Sequence, residues 1–309
     1  MSKKIFIDGK AGTTGLRIYD RLQERQDITL LTLSEEERKD PAARKRMLNS
    51  CDIAFLCLPD DASREAVSMM ENPEVILLDT STAHRTLDDW AYGFPELGEA
   101  CLRKIQASRR IAVPGCHASG FIALVRPLVE AGLVSREALL TCHSITGYSG
   151  GGKKMIAEYE DDARSPLLDA PRQYGLTQQH KHLKEMVKMT ELATAPVFCP
   201  IVSDFHSGME VTVPLFRQMV KGSVEDICQV YRELYRGPVV TWKEDGGENG
   251  FLSANAYAGK DSMEITVSGN DERILLIARY DNLGKGASGA AVECMNIAMG
   301  IDPTTSLSL

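Results

Sequence analysis

Lys4-Ile-Phe-Ile-Asp8 is followed directly by Gly9-Lys-Ala-Gly12-Thr-Thr-Gly15, and this succession decides the fold. The apolar run predicts a short buried strand, and the residues after the glycines, to about Leu22, predict a helix. A glycine-rich turn between a strand and a helix is typical of a dinucleotide site, because the amide groups at the helix start receive the pyrophosphate. The spacing is GxxGxxG rather than GxGxxG, and a simple glycine turn stays open as the alternative.

Strands and helices continue to alternate over the first third of the chain. Apolar runs predict strands at 28–33, 53–58, 75–79 and 111–113, with helices at 35–48 and 61–70. Arg44, Lys45 and Arg46 are interpreted as a solvated helix face. Because this alternation is typical of a parallel sheet covered on both faces, we predict an α/β chain with a Rossmann-like dinucleotide-binding domain over residues 1–115.

The pattern changes from Cys116 onward. Phe121, Leu124, Val125 and Leu128 recur on one face of a predicted helix. Further strands are predicted at 139–146, 196–202, 209–215, 238–242, 252–258, 262–269 and 273–281. We therefore expect a second α+β domain with a mixed or antiparallel sheet over 116–283, and a C-terminal helix, within 284–309, that returns to the first domain.

The composition is that of an ordinary folded protein of 309 residues, with 43% apolar and 25% charged residues. The net charge of −8 argues against nucleic acid as the main partner, because a phosphate backbone needs a basic face. The charge still admits a small anionic substrate, since a few Arg and Lys side chains reverse the field in one cleft.

The eight cysteines form no CxxC pair and no Cys/His cluster at zinc-ligand spacing, so we expect no metal. No apolar run is long enough to suggest a membrane partner, and no signal peptide is recognised. Reduced thiols and a cytoplasmic location are the expectation.

The type of nicotinamide cofactor is open from the residues alone. Ser34 follows the second predicted strand, and the acidic run Glu35-Glu36-Glu37 and then Arg38-Lys39 come next. An acidic residue at this position favours a free ribose 2′-hydroxyl and thus NAD, whereas Ser34 and Arg38 favour a 2′-phosphate.

Cys116 follows Pro114-Gly115 and opens the helix that carries the apolar face above. Orphan amide groups and the helix dipole favour a thiolate there. A thiolate attacks an activated acyl group, and the resulting thioester accepts hydride. The alternative is a small apolar residue that fills a gap in the core.

Two histidines, His180 and His182, lie in a segment that we predict to be helical. His180 shares a helix face with Leu183, and His182 stands three residues before Glu185, with which it can pair. A histidine beside the thiol serves as general base and acid. His117, next to Cys116 in the chain, is the alternative base. A surface helix with two incidental histidines stays open as the alternative without a catalytic role.

The order and spacing of a series of short motifs resemble the N-acetyl-γ-glutamyl-phosphate reductases, relatives of aspartate-semialdehyde dehydrogenase that use NADPH in arginine biosynthesis. The motifs are Gly9–Gly15, Cys57-Leu-Pro59, Asp79-Thr-Ser-Thr-Ala-His-Arg85, Tyr92-Gly-Phe-Pro-Glu96, Pro114-Gly-Cys116, Gly147-Tyr-Ser-Gly-Gly-Gly-Lys153, His180-x-His182-x-x-Glu185 and Asn282-Leu-Gly-Lys-Gly286. They span nearly the whole chain, which is similar to the compact subgroup.

The resemblance implies an aspartate-semialdehyde dehydrogenase-like fold and NADPH-dependent reduction of N-acetyl-γ-glutamyl phosphate to the semialdehyde with release of phosphate. It implies that Cys116 forms the thioester and that His180 is the acid/base. It implies NADP contacts by Gly9, Gly12, Thr13, Thr14, Gly15, Ser34, Arg38, Leu58, Pro59, Ser81, Asn282, Lys285 and Gly286. Substrate contacts are expected from Arg85, Ser149, Lys153, His182 and Glu185. We also expect a homo-oligomer, a dimer or tetramer.

The chain departs from the longer members, which usually have Tyr where His117 stands and an Arg-Gly after the Phe-x-Pro segment; Phe198-Cys-Pro200 here leads to His206-Ser-Gly208. Lys154 and Arg172 are further candidates for the missing cation. One alternative is an aspartate-semialdehyde dehydrogenase or another acyl-phosphate reductase, expected to carry Arg and His on one later helix. The other is a nucleotide-sensing Rossmann protein without chemistry.

Overall fold

The computed structural model describes residues 2–309, and this part of the chain divides into two compact units. Unit 1 comprises the residues up to Pro95, Glu99–Gly115 and Ala287–Leu307. Unit 2 comprises Glu96–Gly98, Cys116–Gly286 and Ser308–Leu309. Among the described residues, no helix is long and apolar enough to cross a bilayer.

The helices are α1 (Thr13–Leu22), α2 (Pro41–Ser50), α3 (Asp60–Ser68), α4 (Glu99–Ala107), α5 (Cys116–Glu130), α6 (Gly152–Tyr159), α7 (His182–Thr190), α8 (Val224–Leu234) and α9 (Gly289–Met299). The strands of unit 1 are β1 (Lys3–Asp8), β2 (Ile28–Leu31), β3 (Ile53–Leu56), β4 (Ile76–Asp79), β5 (Ala91–Tyr92) and β6 (Arg110–Ala112). Those of unit 2 are β7 (Thr141–Gly147), β8 (Arg172–Gln173), β9 (Val197–Ser203), β10 (Met209–Phe216), β11 (Val240–Trp242), β12 (Met263–Gly269) and β13 (Arg273–Tyr280).

The sheet of unit 1 is parallel throughout and has the order β2-β1-β3-β4-β6-β5. Because successive side chains of a strand point to opposite faces, one strand serves two cores. Ile5 and Ile7 pack in one core with residues of α1 and α9, and Phe6 packs in the other with residues of α2 and α3. The direction of chain progress reverses between β1 and β3, which is where doubly wound sheets bind ligands.

Arg44 corrects the interpretation of α2 as a solvated face. Its side chain is buried, and Nε and Nη2 donate to one carboxylate oxygen of Asp8, at 3.0 and 2.9 Å. A third donor, Nη1, reaches Glu65 at 3.0 Å. Lys45 and Arg46 are exposed, as predicted. Arg44 is turned inward because the end of β1 places an otherwise unpaired carboxylate beneath the helix.

Unit 2 has a seven-stranded mixed sheet in the order β11-β12-β13-β10-β7-β9-β8. Neighbouring strands in the run β12-β13-β10-β7 pair antiparallel. The pairs β7–β9 and β11–β12 are parallel. Helix α5 packs against β10 and β13 on one face of the sheet, together with α7 and α8. Nearly all of α5 is buried, since its side chains are apolar or small on every side.

The predicted fold class is confirmed: a Rossmann-like parallel sheet and a second α+β unit with a mixed sheet. Two local predictions are wrong. Residues 252–258 form turns rather than a strand, and Ser253 caps that turn by donating from its amide and hydroxyl to Glu248. His180 lies before α7 rather than in it, because its Nδ1 accepts from the amide of His182, the first helical residue.

Candidate active site

The glycine turn of unit 1 leaves no room for a side chain at Gly9 or at Gly15. Gly9 has φ +87°, and a Cβ on it would lie 2.2 Å from the carbonyl oxygen of Cys57, at the end of β3. A Cβ on Gly15 would lie 2.5 Å from the carbonyl oxygen of Gly9. Gly12 caps α1, whose first turn contains Thr13 and Thr14. The backbone thus makes a tight cradle at the start of a helix, the arrangement that accepts a pyrophosphate.

A cavity of about 650 Å³ in unit 1 adjoins this turn. Its lining includes Gly9 and Leu58 and four cationic side chains, which are Lys10, Arg38, Lys39 and Arg44. Glu35 also lines it and pairs with Arg38 at 2.6 Å. Ser34 is tied to Glu37, whose amide donates to the Ser34 hydroxyl at 3.2 Å. The residues present fit a dinucleotide, because a cramped glycine turn and a cationic cavity lie together.

The segment after β4 is held by a buried polar network. Ser81 donates from its hydroxyl to Asp79 at 2.7 Å, and the same carboxylate oxygen is 2.6 Å from Nδ1 of His84. The His84 ring stacks on Trp90 with centroids 4.2 Å apart. Pro59 stands at the N-terminus of α3. Ser81 therefore has a fixed orientation in unit 1.

Arg85 is buried in unit 1, where it joins the ends of two strands. Its Nε donates to the carbonyl of Val113 at 2.8 Å, and Nη2 donates to the carbonyl of Thr80 at 2.8 Å. Thr80 follows β4 and Val113 follows β6. These contacts give Arg85 a role in holding the segment that leads to Pro114-Gly115.

Cys116 is the first residue of α5 in unit 2, as predicted. Its carbonyl accepts a 2.5 Å hydrogen bond from the hydroxyl of Tyr280, which in turn accepts from the amide of Gly120 at 3.0 Å. A Cβ on Gly286 would come 3.0 Å from the Cβ of Cys116. The helix start is thus anchored, and Gly286 leaves space beside the thiol.

The paired histidines lie in one cluster with His117. The ring centroids of His180 and His182 are each 5.7 Å from that of His117. Since Nδ1 of His180 accepts from the amide of His182 at 3.2 Å, a neutral His180 carries its proton on Nε2. Burial and then the charge of Lys181 lower the pKa of His180. His182 and Glu185 are both buried on α7.

The alternative base, His117, has both ring nitrogens engaged by protein groups. Nδ1 is 2.6 Å from the hydroxyl of Ser144, and Nε2 is 2.6 Å from that of Tyr174. Burial, and then the charge of His180, lower the pKa of His117 to about 3. Sequence reasoning missed Ser144, Tyr174 and Tyr280, because no local motif marks residues that meet only through the tertiary fold.

The remaining predicted residues of unit 2 lie in two segments of the chain, 149–153 and 282–286. Asn282 donates to the hydroxyl of Ser149 at 3.1 Å, and its side-chain oxygen accepts from the amide of Gly208 at 2.9 Å. Lys285 is buried, and its Nζ lies 2.7 Å from both carboxylate oxygens of Glu96. Lys153 is exposed on α6. Within residues 2–309 no group of three or more His, Cys, Asp or Glu side chains is placed to hold a metal ion.

Two family models match the chain. A model described as "Semialdehyde dehydrogenase, NAD binding domain" matches residues 4–105, and one described as "Semialdehyde dehydrogenase, dimerisation domain" matches residues 116–282. The first therefore assigns a nicotinamide nucleotide to the part of the chain that contains the glycine turn.

Solved structures share the fold. Aspartate semialdehyde dehydrogenase II from Vibrio cholerae aligns with a TM-score of 0.71 at 16% identity, over 97% of this chain and 99% of that one. The aspartate semialdehyde dehydrogenase from Francisella tularensis aligns with a TM-score of 0.72 at 14% identity, over 97% and 100%.

Curated relatives are much more similar in sequence. N-acetyl-gamma-glutamyl-phosphate reductase 2 of a Nostoc species is 45% identical over 96% of this chain and 97% of the relative. The N-acetyl-gamma-glutamyl-phosphate reductase of Sinorhizobium medicae is 46% identical over 97% of this chain and 99% of the relative. With this identity over nearly its full length, and with both semialdehyde dehydrogenase models matched, the chain belongs to the N-acetyl-γ-glutamyl-phosphate reductase family.

Proposed function

We propose that this protein reduces N-acetyl-γ-glutamyl phosphate to N-acetylglutamate semialdehyde with release of phosphate, a step of arginine biosynthesis. One observation carries the proposal: Cys116 opens α5 beside Gly286, in a chain 45% identical to a reductase of that name over almost its whole length. Orphan amides and the helix dipole at this position favour the thiolate.

The reaction begins at the sulfur of Cys116. The thiolate attacks the acyl carbon, the C–S bond forms, the bond to the phosphate oxygen breaks and inorganic phosphate leaves. NADPH, when bound, supplies the hydride that reduces the thioester. His180 is the acid/base in this proposal: in its protonated form it gives the Nε2 proton to the oxygen that the reduction leaves negative. It takes that proton back as the C=O bond reforms, the C–S bond breaks, and the aldehyde leaves with Cys116 again a thiolate.

We propose NADP rather than NAD as the cofactor, held by the turn Gly9, Gly12, Thr13, Thr14 and Gly15. The cationic cavity supports this choice, since Arg38 and Lys39 line it and a 2′-phosphate needs positive charge. Ser34, four residues before Arg38, is proposed to contact the same 2′-phosphate. Leu58, Pro59, Ser81, Asn282, Lys285 and Gly286 complete the proposed set.

Substrate binding is proposed for Arg85, Ser149, Lys153, His182 and Glu185. Of these, Ser149 is oriented by Asn282, and His182 lies in the histidine cluster next to α5. The contacts of Arg85 with Val113 and Thr80 use Nε and Nη2, and they fix the orientation of the guanidinium that we propose for the substrate.

We propose a homo-oligomer, a dimer or tetramer, in the cytoplasm. The description of the model matching residues 116–282 as a dimerisation domain supports association. Val197, Phe216 and Leu275 expose 56%, 62% and 37% of their surfaces on the sheet face turned away from α5, which supports that face as the interface. Phe216→Glu should then reduce the sedimentation coefficient to that of a monomer. An unchanged coefficient would count against this face.

The reaction is tested in reverse, with N-acetylglutamate semialdehyde, phosphate and either NADP or NAD. We expect NADP reduction by the wild type and none by Cys116→Ser at equal thermal stability. Arg38→Ala should raise the KM for NADP and leave that for NAD unchanged. Turnover of aspartate semialdehyde instead would overturn the proposed substrate. A preference for NAD would overturn the proposed cofactor, and full activity of Cys116→Ser would overturn the thioester mechanism.

A further inference from the structure

A chain of three side chains runs from the sheet of unit 2 to the start of α5. The hydroxyl of Ser144, in β7, is 2.6 Å from Nδ1 of His117, and Nε2 of the same ring is 2.6 Å from the hydroxyl of Tyr174. Ser144 is fully buried and His117 is 3% exposed. The His117 ring is further enclosed by Phe198, with centroids 5.3 Å apart. These contacts fix both nitrogens of the ring.

A neutral imidazole imposes a direction on such a chain, because one nitrogen donates and the other accepts. With its pKa lowered to about 3 by burial and by His180, the His117 ring is neutral at physiological pH. When the Ser144 hydroxyl donates to Nδ1, Nε2–H donates to the oxygen of Tyr174. The phenolic hydrogen of Tyr174 is then left for a group outside the chain.

Tyr174 belongs to the histidine cluster at the start of α5. Its hydroxyl is 2.6 Å from Nε2 of His117, the residue after Cys116, and its ring centroid is 6.1 Å from that of His180. Burial, and after it the negative charge of Cys116, raises the pKa of the Tyr174 phenol. The raised pKa keeps the phenol protonated. A protonated donor in this cluster is suited to a negative oxygen that develops on a carbon bonded to the sulfur of Cys116.

We propose that Ser144 and His117 position Tyr174 so that its phenolic O–H donates to the oxygen that becomes negative when the acyl carbon on Cys116 turns tetrahedral. The proposal rests on the function proposed above. Tyr174 is a catalytic residue in it, and His117 and Ser144 are positioning residues that act through Tyr174. The donation is a hydrogen bond only, so no proton is consumed. His117, the alternative base, is thereby removed from acid/base chemistry.

The experiment compares kcat and KM of wild type, Tyr174→Phe, His117→Ala, His117→Gln and the double variant His117→Ala/Tyr174→Phe, with Tyr257→Phe as the matched control. Loss of one donor to an oxyanion costs about 100-fold in kcat. We expect a loss of that order in Tyr174→Phe with little change in KM, and about 10-fold in His117→Ala. Gln places an amide nitrogen near Nε2 and should restore most of kcat.

The double variant separates positioning from mere structure. If His117 acts through Tyr174, the double variant is no slower than Tyr174→Phe, because the effects do not add. Alkylation of Cys116 by iodoacetamide, followed on its peptide, should proceed at the wild-type rate in Tyr174→Phe. A kcat within twofold of wild type in Tyr174→Phe, or fully additive losses in the double variant, overturns the proposal.

Failure of the proposed function gives a different result. A wild type that does not turn over N-acetylglutamate semialdehyde fails at the first assay. The same variants are then compared on the aldehyde that it does oxidise, because the oxygen on a tetrahedral carbon at Cys116 needs a donor whatever the rest of the substrate is.

Discussion

The hydroxyl of Tyr235 donates a 2.6 Å hydrogen bond to the carbonyl of Ala123, the carbonyl that Pro127 leaves without its helical donor. In an α-helix the amide of residue i+4 would donate to this oxygen, and proline has no amide hydrogen. Tyr235 follows α8, so a second element of unit 2 repairs the defect inside α5. This repair lets the helix that begins at Cys116 continue through a proline.

Tyr235→Phe should lower the free energy of unfolding by about 1–3 kcal/mol, because it leaves a buried carbonyl without a donor. Tyr231→Phe is the matched control. The hydroxyl of Tyr231 donates to Leu124, whose carbonyl keeps the helical amide of Leu128 as a partner. Urea unfolding of both variants checks the difference, and equal losses would contradict the account.

Acid should destabilise the protein through His117. Its pKa is about 3 when folded and about 6.5 when unfolded, so between these values the unfolded chain binds the extra proton. The stability present above pH 6.5 is therefore lost as pH falls, by about 1.4 kcal/mol per pH unit for this group. His117→Gln should show a shallower decline between pH 7.5 and 5 in urea unfolding. Parallel curves for the two proteins would show that His117 does not contribute.

Gly9→Ala and Gly132→Ala separate backbone strain from lack of space. Both glycines have positive φ, +87° and +71°, but a Cβ meets the Cys57 carbonyl at Gly9 and nothing within 4 Å at Gly132. Gly132→Ala should cost only about 1–2 kcal/mol of strain. Gly9→Ala should cost more and also weaken NADP binding at least tenfold, measured by titration calorimetry. Equal effects on nucleotide binding would argue against the turn as the cradle.

Removing Arg44 should be far more harmful than removing its neighbour Arg46. Arg44→Met leaves the buried carboxylate of Asp8 without its partner, which costs about 3–5 kcal/mol in comparable cases. Arg46→Met, on the exposed face of the same helix, should change stability by less than about 0.5 kcal/mol. Adding Asp8→Asn to Arg44→Met should recover part of the loss. Thermal melting at pH 7.5 is the measurement.

The architecture could be predicted from the sequence, because the spacing of apolar residues that distinguishes strands from helices is a local property of the chain. Apolar runs such as Ile76–Asp79 are strands wherever a covered parallel sheet can form, and the glycine turn marks the first crossover. Prediction failed where partners are distant in the chain. The sequence around Arg44 does not indicate that the side chain of Asp8 lies beneath α2. The sequence around His180 does not indicate that its own Nδ1, rather than a helical carbonyl, accepts the hydrogen bond from the first amide of α7.

The candidate site divides in the same way. Cys116 was predictable, because a strand, Pro-Gly and an apolar helix face fix its place at a helix start. Tyr174 and Ser144 were not predictable. Tyr174 follows β8 and Ser144 lies in β7, and both contact His117 only when the mixed sheet forms. The assignment of individual side chains to cofactor and substrate stays a prediction.

The network around Ser81 decides what a bound molecule meets there. Its only hydroxyl hydrogen is given to Asp79, and the oxygen already takes the amide of Ala83 at 3.1 Å. The Ser81 oxygen can therefore only accept a further hydrogen bond, through its remaining lone pair. A ligand that reaches this serine must bring its own hydrogen, as a carboxamide or a sugar hydroxyl does and an ionised phosphate does not.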